Sequence, residues 1–415
     1  MSDSGFSPSR NIRRLEPSAT IAVTQEAARR RALGEDIIDL SAGEPDFDTP
    51  RLACEAATRA IQDGKTHYPP NAGILDLRAA AASHLSVLSG GRPVNADHIV
   101  VSTGAKQSLF NACFTLFGPH DSVLIPSPAW VSYPQIVHLA RANPVVVPGD
   151  PEFGLKVSVR DLEEASDANT RGLLLCTPNN PTGAVYTLSE LRAIAEWAQK
   201  RNLWLISDEI YRRIHYAPGP APSVLDLPDD LLSRTVVIYG ASKAYSMTGW
   251  RIGLALAPAE VASAMAALQS HVTSGANHPA QYAAAAAFAD ERMEAEVRRM
   301  VEQFQRRREI VVRHFREELP GLEFVEPLGA FYLFFRVDSC FGGEIRDAVT
   351  FCRRLIAQGG VALVPGEAFG DGRWVRLSFA AAEESIREAL RRIVQFINQV
   401  QPAKRGGQGA GAALR

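Results

Sequence analysis

Absent from this chain is any apolar run long enough to cross a bilayer. Nowhere in its 415 residues do apolar positions continue for the roughly 20 that a membrane helix needs. The opening residues, MSDSGFSPSR, lack the apolar core of a secretory leader, so the expectation is a cytoplasmic protein with no membrane partner. Cysteine is scarce. Cys54, Cys113, Cys176, Cys340 and Cys352 are scattered, with no CxxC pair and no histidine cluster nearby. That argues against a disulfide framework and a zinc site; reduced core thiols and no metal are expected. An excess of charge is also missing: a formal net charge of −2 offers no basic face to nucleic acid.

Nucleotide motifs are incomplete. Gly64-Lys65-Thr66 resembles the end of a phosphate-binding loop, but Arg59 stands where that loop needs its first glycine. The apolar run ending in Asp208-Glu209 could be the acidic partner of such a loop, and is orphaned with it.

What is present centres on residues 240–253, GASKAYSMTGWRIG. Two short apolar runs, 235–239 and 252–257, flank it and read as buried strands, which puts Lys243 on a loop at a sheet edge. A lysine between core strands is costly to desolvate. With Arg251 eight residues on, two cations converge on an anionic ligand, and a desolvated lysine beside another cation is more easily deprotonated. Such an amine suits Schiff-base chemistry.

The pattern SKxxxMTGWRxG resembles the lysine loop of class I aminotransferases, the aspartate aminotransferase-like branch of the fold-type I pyridoxal-phosphate enzymes. The resemblance extends over roughly residues 15–400, with the motifs in the family's order. It implies that Lys243 carries pyridoxal 5'-phosphate and that Arg251 holds its phosphate. SAGEPDFDTP resembles the family's N-terminal substrate loop, in which Gly43 offers its backbone to the substrate carboxylate. Tyr68 matches the residue that crosses to a neighbouring subunit's phosphate, implying a homodimer with shared active sites.

Strand 99–102, Gly104 and the helix that follows form a junction able to point N–H groups at an anion. The resemblance makes Gly104, Ala105 and Lys106 the phosphate cradle, and in the bacterial subgroup a lysine at 106 goes with dicarboxylic substrates. Trp130, in a proline-flanked loop after strand 121–126, matches the aromatic that stacks on the cofactor and lines the substrate site. Asn180, held in the rigid Pro178-Asn179-Asn180-Pro181-Thr182-Gly183, matches the contact to the cofactor's ring hydroxyl and the substrate carboxylate. Asp208, at the carboxyl end of strand 203–206, matches the partner of the pyridine nitrogen, and Tyr211 the contact to the ring hydroxyl. Arg376, amid the apolar Val375-Arg376-Leu377-Ser378, needs an anionic partner; its counterpart clamps the substrate α-carboxylate.

The expected fold is α/β: a large domain with a mostly parallel seven-stranded sheet and a smaller α+β domain. Expected divisions are a mobile 1–14, a segment 15–50 joining the small domain, a cofactor-binding domain 51–310, a C-terminal domain 311–402 and a disordered tail 403–415. Within these, a capping box at Thr187-Leu188-Ser189-Glu190 starts a helix to about Arg201, and a long charged helix near 291–318 bridges the domains. Further strands are expected at 144–147, 171–177, 328–335, 361–365 and 374–379, with a last helix over 383–400.

The implied activity is ping-pong transamination between an amino acid and a 2-oxo acid. Lys106 and Ser18-Ala19-Thr20 favour aspartate, glutamate and 2-oxoglutarate. Glu16 departs from the subgroup, where a basic residue is common, so aromatic, prephenate and other donors stay open, as does a lyase of the same fold. A cofactor-sensing regulator would need an added DNA-binding domain, for which the short N-terminus leaves no room.

Overall fold

The computed structural model describes residues 7–9 and 11–400. The expected tail 403–415 lies outside the described residues, as do 1–6 and 10 of the expected mobile start and 401–402 of the expected C-terminal domain. Residues 11–14 form a turn hydrogen-bonded back to Ser9.

The chain opens with α1 (Ala19–Ala32), β1 (Ile38–Asp39), α2 (Arg51–Gln62) and α3 (Leu75–Leu88). It then alternates: β2 (Ile99–Thr103), α4 (Ala105–Leu116), β3 (Ser122–Ser127), α5 (Ser132–Leu139), β4 (Asn143–Pro148), α6 (Val159–Ala165), β5 (Thr170–Cys176), α7 (Leu188–Lys200), β6 (Trp204–Asp208), β7 (Thr235–Gly240) and β8 (Ile252–Leu256). These strands form one seven-stranded sheet in the order β2-β8-β7-β6-β5-β3-β4, with only β8 antiparallel to its neighbours. The central strands are apolar on both faces, as a sheet covered by helices on both sides requires. Successive residues divide between two cores: Leu173, Leu175, Leu205 and Val237 pack on one side, Leu174, Ile206, Val236 and Ile238 on the other. The Thr187 capping box starts α7 as expected, with both hydrogen bonds made.

Three helices follow, α8 (Ala259–Val272), α9 (His278–Ala289) and α10 (Arg292–Glu318). Beyond them lie β9 (Phe324–Val325), β10 (Tyr332–Arg336), α11 (Ala348–Gly359), β11 (Val361–Ala362), β12 (Val364–Pro365), β13 (Trp374–Ser378) and α12 (Glu383–Val400). An antiparallel sheet β12-β13-β10-β9 packs against α10, α11 and α12 to form another core. Helix α10 serves both halves: Met293, Val297 and Met300 enter the large-sheet core, and Phe304, Val311, Val312 and Phe315 the small-sheet core. Steps of three, four and seven residues, with Val311 and Val312 side by side, keep one apolar stripe inward.

Three local expectations are corrected. The single strand 361–365 is two, because β11 pairs with β1 while β12 turns to β13. The strand expected from Leu328 begins only at Tyr332, after Ala330 at φ +55°. The loop expected through Pro134 is already helix from Ser132, since proline is tolerated in a first helical turn, where its missing N–H has no partner to lose.

Candidate active site

The carboxyl ends of the parallel strands converge on a cavity of about 400 Å³. Ligands bind in such sheets at this edge. β2 leads into Ala105 and Lys106, β3 into Trp130, β5 into Asn180, and β6 ends on Asp208. Lys243 follows β7, and Arg251 immediately precedes the opposed β8. From the other half come Arg376 on β13 and Tyr332 on β10, while Gly43, after β1, closes the ring.

Lys243 donates from Nζ to the carbonyl of Gly43 at 2.7 Å. Lost hydration lowers its amine to about 8; Glu44 opposes that shift, while Arg251 and Arg376 add to it. Asp208 is 3% exposed, and burial pushes its carboxyl up to about 6 against the hydrogen bonds that favour its charge. Oδ2 accepts the Tyr133 hydroxyl at 2.8 Å and Oδ1 the Ile210 N–H at 3.2 Å.

Arg376 is 2% exposed, and among the described residues no carboxylate is hydrogen-bonded to it. Nη1 donates to Asn180 Oδ1 at 2.9 Å, Nη2 donates to the Ser41 carbonyl at 2.7 Å, and the buried Nε has no partner among the described residues. Its face lies 4.4 Å from the centroid of Tyr332 and 5.0 Å from that of Phe369. A buried guanidinium held only by neutral groups calls for an anion. Tyr332 in turn shares a 2.9 Å hydrogen bond with Tyr211.

An anion seat lies on the opposite side. Gly104, at φ +80°, caps α4, whose leading N–H groups, those of Ala105 and Lys106, lack helical acceptors, while Gln107 and Ser108 already donate to the Gly104 carbonyl. A methyl built on Gly104 would overlap the Arg251 guanidinium, and one on Gly253 would overlap the Ala105 nitrogen. Both glycines therefore permit a close approach of cation, strand and helix end. Lys106 Nζ stands 4.8 Å from the Trp130 centroid, its amine lowered by lost hydration and then by Arg251.

Of the sequence-predicted residues, Gly43, Ala105, Lys106, Trp130, Asn180, Asp208, Tyr211, Lys243, Arg251 and Arg376 line this one cavity. Gly104 lies just beneath, against Arg251. Tyr68 is not brought there by its own chain: it is 90% exposed on the outer surface. Sequence reasoning missed Tyr133 and Tyr332. The first was hidden by Pro134 beside it, although three residues from Trp130 is one helical turn; the second could have been found by alternation along β10 toward Arg376. Among the described residues there is no His, Cys, Asp and Glu group suited to a metal, and no helix is long and apolar enough to cross a membrane.

This donor set fits a planar phosphate ester bearing a carbonyl and a basic ring nitrogen. It offers an amine, an aromatic wall, a buried carboxylate and a helix end backed by arginine.

Residues 35–393 match the family model described as aminotransferase class I and II. A Petunia hybrida protein named bifunctional aspartate aminotransferase and glutamate/aspartate-prephenate aminotransferase is 41% identical over 96% of this chain and 84% of its own. An aspartate aminotransferase of Thermotoga maritima is 41% identical over 94% of this chain and 99% of its own. The structure of Thermus thermophilus aspartate aminotransferase with maleate superposes with a TM-score of 0.88 at 38% identity, covering 94% of this chain and all of that one.

Proposed function

The chain belongs to the aminotransferase class I and II family and is a pyridoxal-phosphate-dependent aminotransferase of fold type I, and on that premise we propose that it moves the amino group of aspartate or glutamate to 2-oxoglutarate or oxaloacetate. The observation that carries this reading is the meeting of Lys243, Asp208 and Arg376 with Lys106 in one cavity. Pyridoxal phosphate, when bound, supplies an electrophilic carbonyl and a ring that draws off carbanion charge.

In this reading Ala105, Lys106 and Arg251 hold the phosphate, Trp130 covers the ring, and Asn180 and Tyr211 contact its hydroxyl. Asp208 keeps the ring nitrogen cationic. Arg376 forks onto the substrate's α-carboxylate, whose charge completes a guanidinium already fixed by Asn180, Ser41 and the face of Tyr332. Lys243 would carry the cofactor, and its amine, lowered to about 8, would serve as the base that moves the proton at the substrate's Cα, since such an amine exchanges protons readily near neutral pH. Lys106, with Ser18 and Thr20 across the cavity, faces the far end of the substrate. The Thermus relative's pairing with maleate, itself a four-carbon dicarboxylate, supports an acidic substrate. The Petunia relative supports a second acceptor, prephenate, and the exposed Ile21 gives the cavity an apolar wall for its ring.

Two copies sharing active sites through Tyr68 complete the reading: its 90% exposure leaves the ring free to meet a second chain. The division into a cofactor domain over 51–310 and a C-terminal domain over 311–402, and a cytoplasmic location, belong to the same proposal.

The test is a set of half-reactions followed by the bound cofactor's visible absorbance. Bleaching by aspartate and glutamate and recovery with 2-oxoglutarate are expected, and recovery with prephenate supports the broader acceptor range. Bleaching by aromatic donors alone rejects the dicarboxylate reading, and ammonia release without an acceptor points to a lyase.

A further inference from the structure

The carboxylate of Asp208 is gripped from two elements. The Ile210 N–H belongs to its own turn, whereas the Tyr133 hydroxyl comes from α5. Tyr133 is 2% exposed and packs edge-on against Trp130 with centroids 5.4 Å apart. Its ring is thus fixed by packing, and its hydroxyl meets Asp208 at 2.8 Å.

The other groups facing Asp208 do not do this work. Cys176, opposite it in register on β5, is kept a neutral thiol by burial. Glu209, adjacent in the chain, opposes a second negative charge. Lys243 favours the charge through space, but its amine is the group that reacts. Tyr133 carries no reacting group of this kind, and its hydroxyl bridges Asp208 and the Cys176 thiol. Burial first, and then the neighbouring carboxylate, push its phenol well above its ordinary value, so it donates across the whole physiological range.

Resting on the reading of the site given above, we propose that Tyr133 is a positioning residue for Asp208. Its phenol holds the carboxylate ionised against the cavity wall, and so sets the pH below which the bound cofactor is lost. The physical reason is local. Once Asp208 gains a proton it no longer offers a charge to the cofactor's ring nitrogen, and a donor to Oδ2 is what delays that protonation. A charge-assisted hydrogen bond in a buried place moves such a titration by about one to two pH units.

The experiment measures cofactor retention by the holoenzyme after dialysis at a series of pH values, for the native protein and Tyr133→Phe. The substitution keeps the ring and its contact with Trp130. Native-like retention at pH 8, with the midpoint for loss about one unit higher, is expected. Coincident midpoints, or equal weakening at every pH, overturn the role. If the phenylalanine variant fails to fold, a ring-fluorinated tyrosine at 133, a stronger donor, shifts the midpoint to lower pH; an unmoved midpoint there also overturns it. A native protein that binds no pyridoxal phosphate at any pH rejects the reading of the site itself, and this role with it.

Discussion

The guanidinium of Arg251 rests directly on Gly104, and a single methyl group at that glycine would occupy the same space. Gly104 also has φ +80°, a backbone shape that costs other residues about 1 kcal/mol or more. Gly104→Ala should therefore weaken cofactor binding by at least about tenfold while leaving the fold in place. Titration of the cofactor-stripped protein with pyridoxal phosphate measures it; unchanged affinity would show that Arg251 can move aside without consequence.

Lys243→Ala removes the reacting amine but leaves the phosphate seat and Trp130 intact. Turnover should fall by about four orders of magnitude or more, with cofactor still bound non-covalently. In the native protein, the rate of cofactor uptake should rise with pH and level off above about 8, where the amine is neutral. A pH-independent uptake rate would contradict the lowered amine.

Arg376→Leu strips the buried cation and orphans Asn180 Oδ1 and the Ser41 carbonyl. Losing one member of a buried charge pair costs roughly 3–4 kcal/mol, or about 100- to 1000-fold in kcat/KM. The loss should appear mainly in KM for the amino acid, with the cofactor's absorbance unchanged. Arg376→Lys should recover little, since an ammonium cannot fork.

Asp208 gives a prediction whose sign depends on pH. Its carboxyl titrates at about 6 in the fold against 3.8 ordinarily, so folding favours the protonated form. The penalty for burying its charge is absent well below 3.8 and complete above about 6, where it reaches about 3 kcal/mol. Asp208→Asn should therefore raise the melting temperature of the cofactor-stripped protein at pH 8, with the gain shrinking as pH falls below 6. Turnover should be lost throughout. Equal melting of the two at pH 8 would refute the buried-charge cost.

Much of this was legible in residue order. Strand, glycine and helix at 99–117 follow from local chemistry alone; Asp208 and Arg376 stand out as charged groups at the end of or within apolar runs, and Lys243 as one on the loop between two such runs. What sequence could not supply is pairing across the chain. The Asp208–Tyr133 bond joins residues 75 positions apart, and Tyr211–Tyr332 joins residues 121 apart; neither has a local signature. The break between β11 and β12 is of the same kind, because β-propensity alone does not say that adjacent residues will choose different sheets.

Helix α10, about 40 Å long at 1.5 Å per residue, runs through both hydrophobic cores. Midway, Arg307 grips Asp46 with both nitrogens at 2.7 and 2.9 Å, tying in the loop that carries Gly43. Melting either core would strip apolar side chains from the same rigid rod, and fraying the rod would release the loop. The two halves are therefore thermodynamically linked: each is a ligand of the other, joined by a shared helix, and heat should undo them in a single calorimetric transition.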